Sequence, residues 1–423
     1  MKVLYVNTLY SPNVGGGAEI ALAGLVQAFR GRGQDAAVLT THAGTGVLRE
    51  VVDDVPVYRV PNKNLYWHFP QREHAAAARM AWHAIDSYNL FEARQVGRLI
   101  DEIGPELIVC HNLPGLSVAV WGQAARRSIP IVQVLHDYYT LCPKVTMFRD
   151  GQPCEERCGG CAVLRLPHRE ASRAVSAVVG VSRAILNTHL SHGMFADAHI
   201  QSVVHNARAL PEPGDRASGE PFTFGFIGGL TAVKGVDPLA EAFASVARDS
   251  SRPVRLLIAG AGKDADVAEL RRRHESAQIS FVGHVNPIEF FQRLDVCVVP
   301  SLWHDPFPGV VYEALGLGVP VIGARRGGIP EMVQHGLNGL LFEPQQPGDL
   351  EACLKRLIDD PGLLRAMRLA SRGSVAPLLD QERVLDDYEA IYARTLAVAA
   401  GALQPAVPAE SSAAIGARTP LRD

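Results

Sequence analysis

Residues 300–320 read PSLWHDPFPGVVYEALGLGVP, and the prolines and glycines in this stretch decide how it can fold. Pro306 and Pro308 keep the first part out of a helix interior, because each lacks an N–H and its ring crowds the preceding turn. A helix can begin at Gly309 with Pro308 beside its first turn, where a missing N–H costs little. Asp305 then lies on a loop just before a helix N-terminus, and Glu313 falls one to two turns inside the helix. The backbone around Phe307, Pro308, Gly309 and Val310 is left with unpaired N–H groups, and such a helix start attracts phosphate. The same pattern also fits a capping aspartate followed by a solvated helix glutamate.

Working outward, short β-branched runs alternate with amphipathic helical stretches. In the first half the expected strands are Val3–Asn7, Ala37–Thr40, Val57–Val60, Leu107–Cys110, Ile131–Leu135 and Ala177–Val181. In the second half they are Phe222–Ile227, Val254–Ala259, Ile279–Val282, Val296–Val299, Val319–Ile322 and Leu340–Phe342. Between them, Glu19–Phe29, Pro238–Ala247, Val310–Leu317 and Leu350–Ile358 read as helices. Strand–helix alternation implies parallel sheets covered on both faces. The polar stretch from Asn206 to Pro221 reads as a linker, and 423 residues exceed one ordinary core. The expected organisation is an α/β domain over 1–205, a second over 206–379, a terminal helix over 380–400 and a disordered tail over 401–423.

Several segments together carry a family resemblance. Pro300-Ser301, Asp305-Pro306-Phe307, Glu313-Ala314 and Gly318-Val319-Pro320-Val321-Ile322 follow one another. Gly327-Gly328-Ile329-Pro330-Glu331, Asn338-Gly339 and Leu341-Phe342 come next, and Lys234-Gly235 precedes them. This pattern resembles the E-x7-E region and its surroundings in the family 4 retaining glycosyltransferases. The resemblance runs from Lys2 to about residue 395. It implies the GT-B fold, two Rossmann-like domains with parallel sheets facing across a cleft. It also implies transfer of a sugar from a nucleoside diphosphate to a hydroxyl acceptor with retention, by front-face attack. Two departures stand out. Asp305 occupies a position where the family usually has Glu, which shortens the reach of that carboxylate. Gly229 stands where the family has the arginine that grips the diphosphate; Arg208, Arg183 and Arg325 are the candidates to replace it.

On this reading Lys234, Asp305 and Glu313 serve the donor, with Lys234 a point charge for phosphate. The resemblance also puts Gly229 beside the donor, and His284 and Val285 near the nucleotide base. In the first half, Gly15-Gly16-Gly17 opens a helix after the first strand, so Gly16 and Gly17 let the backbone approach a diphosphate closely. His136 stands at the end of the strand Ile131–Leu135, where ligand sites of open α/β sheets lie, and would contact the donor sugar. His111 ends its own strand in the same way and is a weaker candidate.

Cys142, Cys154, Cys158 and Cys161 crowd into one stretch whose last three spacings suit a structural zinc knuckle. Reduced, non-ligating cysteines in a surface loop fit equally. No Asp-x-Asp pair is placed to hold a metal on a sugar diphosphate, so catalysis is expected to need no cofactor. The formal net charge of −3 gives no reason to expect nucleic acid. No apolar run is long enough to span a membrane and the N-terminus lacks a signal-peptide pattern, so a cytoplasmic protein is expected. Arg126, Arg127 and the basic run Arg165–Arg173, with Trp67, Phe69 and Trp82, would support peripheral contact with the inner face of the membrane, and then a lipid-linked glycan as acceptor. Solvated helix faces explain the same residues. Two other functions share parts of this pattern: a sugar-nucleotide epimerase of the same fold, and a non-catalytic scaffold built on the cysteine knob.

Overall fold

The first strand, β1 (Lys2–Val6), is buried at four of its five positions, as expected for a central parallel strand covered on both faces. In the computed structural model, which describes residues 1–70, 72–214 and 221–403, it lies inside an eight-stranded sheet. The other members are β2 (Asp35–His42), β3 (Leu48–Val52), β4 (Val55–Pro61), β5 (Leu107–Cys110), β6 (Ile131–Leu135), β9 (Ala177–Gly180) and β10 (Ile200–Val203). A small hairpin, β7 (Phe148–Arg149) and β8 (Gln152–Pro153), stands apart within the cysteine-rich insert. The order across the sheet is β10-β9-β6-β5-β1-β2-β4-β3. Every pairing is parallel except that of β3 with β4.

The second sheet holds β11 (Phe222–Ile227), β12 (Val254–Ala259), β13 (Ile279–Gly283), β14 (Val296–Val299), β15 (Val321–Ala324) and β16 (Gly339–Phe342). Its order is β13-β12-β11-β14-β15-β16 and all pairings are parallel. Both sheets therefore reverse their winding beside their first strand. The reversal falls between β1 and β5 in one sheet and between β11 and β14 in the other. Crevices beyond the carboxyl ends of strands at such reversals are where α/β sheets bind ligands.

Two strands of the main sheets escaped the sequence reading and a third is displaced, each for a physical reason. β3, LREVV, is exposed at four of its five positions and pairs at the sheet edge, so it carries no apolar alternation. A two-residue turn at Asp53 and Asp54, both with positive φ, folds it onto β4. β10 is likewise an edge strand with one buried residue. β15 begins two residues later than expected, because Gly318 sits at φ 75° and Pro320 cannot donate to the ladder. The linker is described up to Gly214; residues 215–220, and the expected disordered tail beyond Leu403, lie outside the described residues.

The terminal helix Gln381–Ala399 is capped by Asp380, whose carboxylate accepts from the Arg383 N–H. It does not stay with the second sheet. Tyr392 is fully buried, its ring 5.7 Å from Phe29 on the first helix, Gly17–Gly31. Arg32, at the end of that helix, pairs with Glu382, Asp386 and Glu389. The chain end thus ties the two halves together. Replacing Tyr392 with Ala leaves a large buried void, and the unfolding free energy from urea titration is expected to fall by about 3–5 kcal/mol.

Candidate functional site

In the second sheet, the loops after β11 and β14 meet at the winding reversal. Gly235 makes this possible: it adopts φ 72°, and a Cβ there would collide with the Pro300 carbonyl. The close approach brings Lys234 Nζ to 2.5 Å from Asp305 Oδ2. Ser301 Oγ donates to the same oxygen at 3.3 Å. The ammonium also lies 5.4 Å above the Trp303 ring. Asp305 is only 4% exposed, whereas the Lys234 side chain keeps 28% of its surface. Behind them Gly327, at φ 52°, packs on the Asp305 backbone, where a Cβ would collide with the Asp305 carbonyl. The aspartate is thus held from three sides, and the lysine reaches toward solvent.

The helix Gly309–Gly316 starts beside this pair, with Pro308 as its N-cap and no side chain covering its first N–H groups. Phe307 and Pro308 are buried, while Gly309 and Val310 remain half-buried. Glu313 folds back toward Gly309 and pairs with Arg208 at 2.8 Å. Phe307 stacks on His205 with centroids 4.7 Å apart. Of the candidates for the missing arginine, Arg208 therefore stands at this helix start. Arg325 is paired with Glu343 at 2.9 Å, and Arg183 is exposed at the start of another helix. The ends of β11, β12 and β13 are knitted by backbone bonds from Gly228 to Ala259 and from Gly260 to Gly283. This sets Gly229, His284 and Val285 along the same rim, with Gly229 and His284 exposed.

In the first sheet, Gly15, Gly16 and Gly17 are exposed, and Gly16 is the uncapped N-cap of the first helix. The buried Glu19 carboxylate lies against Gly15 and Gly16. His136 is hydrogen-bonded through Nε2 to His111 Nδ1 at 2.8 Å, so its Nδ1 is the nitrogen left for a ligand. Burial pushes the His136 imidazole down to about 4, so the ring is neutral at pH 7. Burial, with a smaller contribution from Glu19, pushes the adjacent Asp137 carboxyl up to about 7 against the hydrogen bond from the Tyr139 N–H. His111, Gln133, His136, Asp137 and Thr140 line a small cavity at these strand ends.

The two halves meet across this region. Tyr138, two residues after His136, stands edge-on to Trp303 with centroids 6.3 Å apart. Glu331 accepts hydrogen bonds from the backbone N–H of Arg183 and Ala184 and pairs with His205 at 3.1 Å. A glutamate of the second half thus caps the helix Arg183–Ser191 of the first. Gly328 closes the joint, because a Cβ there would meet the Pro306 carbonyl and Ser182. Tyr138, Trp303 and the capping role of Glu331 were not singled out in the sequence. Only their nearness to His136, Asp305 and the Gly-Gly pair could have pointed to them.

The expected residues thus fall into two groups: Lys234, Asp305, Glu313 and residues 307–310 at the strand ends of the second half, and Gly16, Gly17 and His136 at those of the first, where Tyr138 meets Trp303. Among the proposed membrane residues, Arg165 and Trp82 are buried, Trp67 donates to Thr41, Arg127 is bound by Asp101 and Arg173 by Asp197, while Arg126 and Arg169 are exposed. No helix among the described residues is long and apolar enough to cross a membrane.

Comparison with known proteins agrees with this fold. Residues 221–360 match the model of the glycosyl transferases group 1, and residues 16–207 match that of the glycosyl transferase 4-like domain. An uncharacterised 42.6 kDa protein in the cps region of Klebsiella pneumoniae is 27% identical over 332 residues, 78% of this chain and 87% of that protein. The N-acetyl-alpha-D-glucosaminyl L-malate synthase of Bacillus anthracis is 31% identical over 169 residues, 39% of this chain and 44% of that enzyme. Among solved structures, sucrose-phosphate synthase from Thermosynechococcus elongatus superposes with a TM-score of 0.73 at 18% identity, over 94% of this chain and 100% of that one. Anabaena HepE in complex with UDP-glucose superposes with a TM-score of 0.68 at 20% identity, over 93% and 100%. The fold is GT-B.

The Glu331 clasp gives a signed pH dependence. Burial raises its carboxyl, but the His205 bond and the two backbone N–H groups outweigh this and hold it below the ordinary carboxylate value. Its contribution to stability is present above the unfolded-state value and is lost as pH falls through the lower folded value. Glu331→Gln is expected to unfold more readily than the parent at pH 7, by about 1–3 kcal/mol, and the gap should close as pH falls through the lowered folded value. Urea denaturation across pH 3–8 measures it.

Proposed function

The chain belongs to the group 1 glycosyltransferases, and from that premise we propose that it moves a sugar from a nucleoside diphosphate to a hydroxyl acceptor with retention. The observation that carries this reading is the pairing of Lys234 with Asp305 beside the uncapped start of the helix Gly309–Gly316, at the reversal of the second sheet. The N–H groups of that helix and the exposed face of Lys234 meet the diphosphate and stabilise its charge as the sugar departs. Arg208 supplies the guanidinium missing at Gly229. Glu313, already aimed at Gly309, turns from Arg208 to the ribose hydroxyls. Asp305 orients the sugar while keeping Lys234 in place. The base rests against His284 and Val285.

The acceptor enters from the first half, between the glycine loop and the neutral His136–His111 pair. Closing the halves on both substrates excludes water and sets the attacking hydroxyl beside the anomeric carbon. HepE, solved with UDP-glucose, supports a UDP-sugar as donor. The cps-region relative supports surface polysaccharide assembly as the setting, with a glycan or lipid-linked glycan as acceptor on the cytoplasmic side of the membrane. Met80, Leu90, Phe91, Val163 and Leu166 are exposed on helices of the first half and favour peripheral contact with lipid.

Thermal-shift screening of nucleoside diphosphate sugars should show one donor raising the melting temperature well above the rest. With that donor, Lys234→Ala is expected to lower kcat/KM by on the order of 10²–10³. Glu313→Ala should raise the donor KM with a smaller change in kcat. Wild-type rates in both variants, or stabilisation by no nucleotide, would overturn the assignment.

A further inference from the structure

Residues 141–165, LCPKVTMFRDGQPCEERCGGCAVLR, add no strand to either main sheet. They leave the cleft loop at Tyr138 and Tyr139, turn through the β7–β8 hairpin and return on the short helix Gly159–Leu164. Their backbone is unusual: Val145, Met147 and Asp150 all have positive φ. For Val, such a conformation costs on the order of 1–3 kcal/mol and persists only where surrounding contacts impose it. The insert nevertheless has little apolar core of its own, and Glu155 and Glu156 are almost fully exposed.

The insert does bring its four cysteines together. Cys142, in the cleft loop, is buried, and its sulfur is 3.9 Å from that of Cys161. Cys161 also shares a hydrogen bond with Cys158, and Cys154 lies within electrostatic reach of Cys142 and Cys158. No three of these sulfurs lie mutually within 4.8 Å, so binding an ion requires them to draw together. With Zn–S bonds of about 2.3 Å, the edges of a regular tetrahedron are about 3.8 Å. The Cys142–Cys161 separation already has this length, and the Cys154 and Cys158 sulfurs must close on it to complete the site. The local chain suits it: the Cys154 N–H is bonded to the Met147 carbonyl, and Cys158 is the N-cap of the helix that carries Cys161. Among the described residues, the trio whose ligand atoms do lie within 4.8 Å, Asp237, Glu241 and His274, is engaged by Arg273 at 2.8 and 2.9 Å. That trio is a surface ion-pair network.

We propose that Cys142, Cys154, Cys158 and Cys161 bind one zinc ion as a tetrathiolate that locks the insert onto the cleft loop 136–142. The lock fixes Tyr138 against Trp303. It also seats the buried Arg165 over the Tyr139 ring, 4.6 Å from its centroid, and holds Glu155 facing His304 at 3.8 Å, next to Asp305. The metal takes no part in sugar transfer; it shapes the wall against which the acceptor lies.

The test uses the full chain purified without chelators. Elemental analysis should give about one zinc per chain, and protein grown on cobalt should show intense thiolate-to-metal charge-transfer absorption. Cys154→Ser should lose at least tenfold in bound metal, while Cys154→His, which can still ligate, and Cys353→Ser, remote in sequence from the cluster, should keep it. Stripping the metal should speed amide exchange in residues 136–165 and leave the second sheet unchanged. Folded wild-type protein with less than about a tenth of an ion per chain would overturn the proposal. So would a Cys142–Cys161 disulfide found by mass spectrometry, or full metal content in Cys154→Ser. None of these readouts depends on sugar transfer, so the metal site stands or falls apart from the proposed activity.

Discussion

A single ion pair, Lys234 with Asp305, fixes the geometry of the proposed donor side. Its carboxylate is almost wholly removed from water, so it needs the ammonium beside it. Removing one partner of such a pair strands the other charge and typically costs about 3–5 kcal/mol. The surrounding choices follow from that need. Gly235 lets the lysine loop lie against the Pro300 carbonyl, and Gly327 lets the following loop pack on the Asp305 backbone. Ser301 fills a remaining lone pair and Trp303 covers the ammonium. The result is a cation fixed in position before any ligand arrives, which is the condition for electrostatic stabilisation without reorganisation.

The joint between the halves is of a different kind. Glu331, His205, Tyr138 and Trp303 make a small, mostly polar set of contacts, and the linker and terminal helix provide the covalent ties. Interfaces of this type permit relative motion of domains. Catalysis that depends on bringing two substrates together from opposite walls requires such motion. The wall around Lys234 and Asp305 is braced by close backbone packing, while the joint is held by a few replaceable bonds.

Much of this was legible in the sequence because it rests on local rules. Prolines 306 and 308 and Gly309 announce the helix start, and the buried parallel strands announce themselves as unbroken apolar runs. Edge strands β3 and β10 left no such trace, since their residues face water. Within the site, Lys234, Asp305, Glu313 and His136 could be named from motif and position. Their partners could not. That Lys234 neutralises Asp305, that Arg208 meets Glu313 over 105 residues of separation, and that His111 occupies one nitrogen of His136 are all long-range pairings. Nor does anything local to Arg165 say that its guanidinium is buried against Tyr139.

The protonation states narrow the chemistry further. A double-displacement route to retention needs an ionised, unencumbered carboxylate at the reacting carbon. Asp305 is committed to Lys234 and Ser301, and Glu313 to Arg208. Burial pushes Asp137 up to about 7, so it is only partly ionised near neutral pH and is a poorer leaving group than an ordinary carboxylate. The neutral His136 ring offers a hydrogen bond rather than a charge. What the second half gathers beside one uncapped helix start is a lysine and an arginine, each balanced by a carboxylate. In the transfer we propose, those cations are shared with the diphosphate as it departs, and the departing oxygen takes the acceptor's proton on the same face.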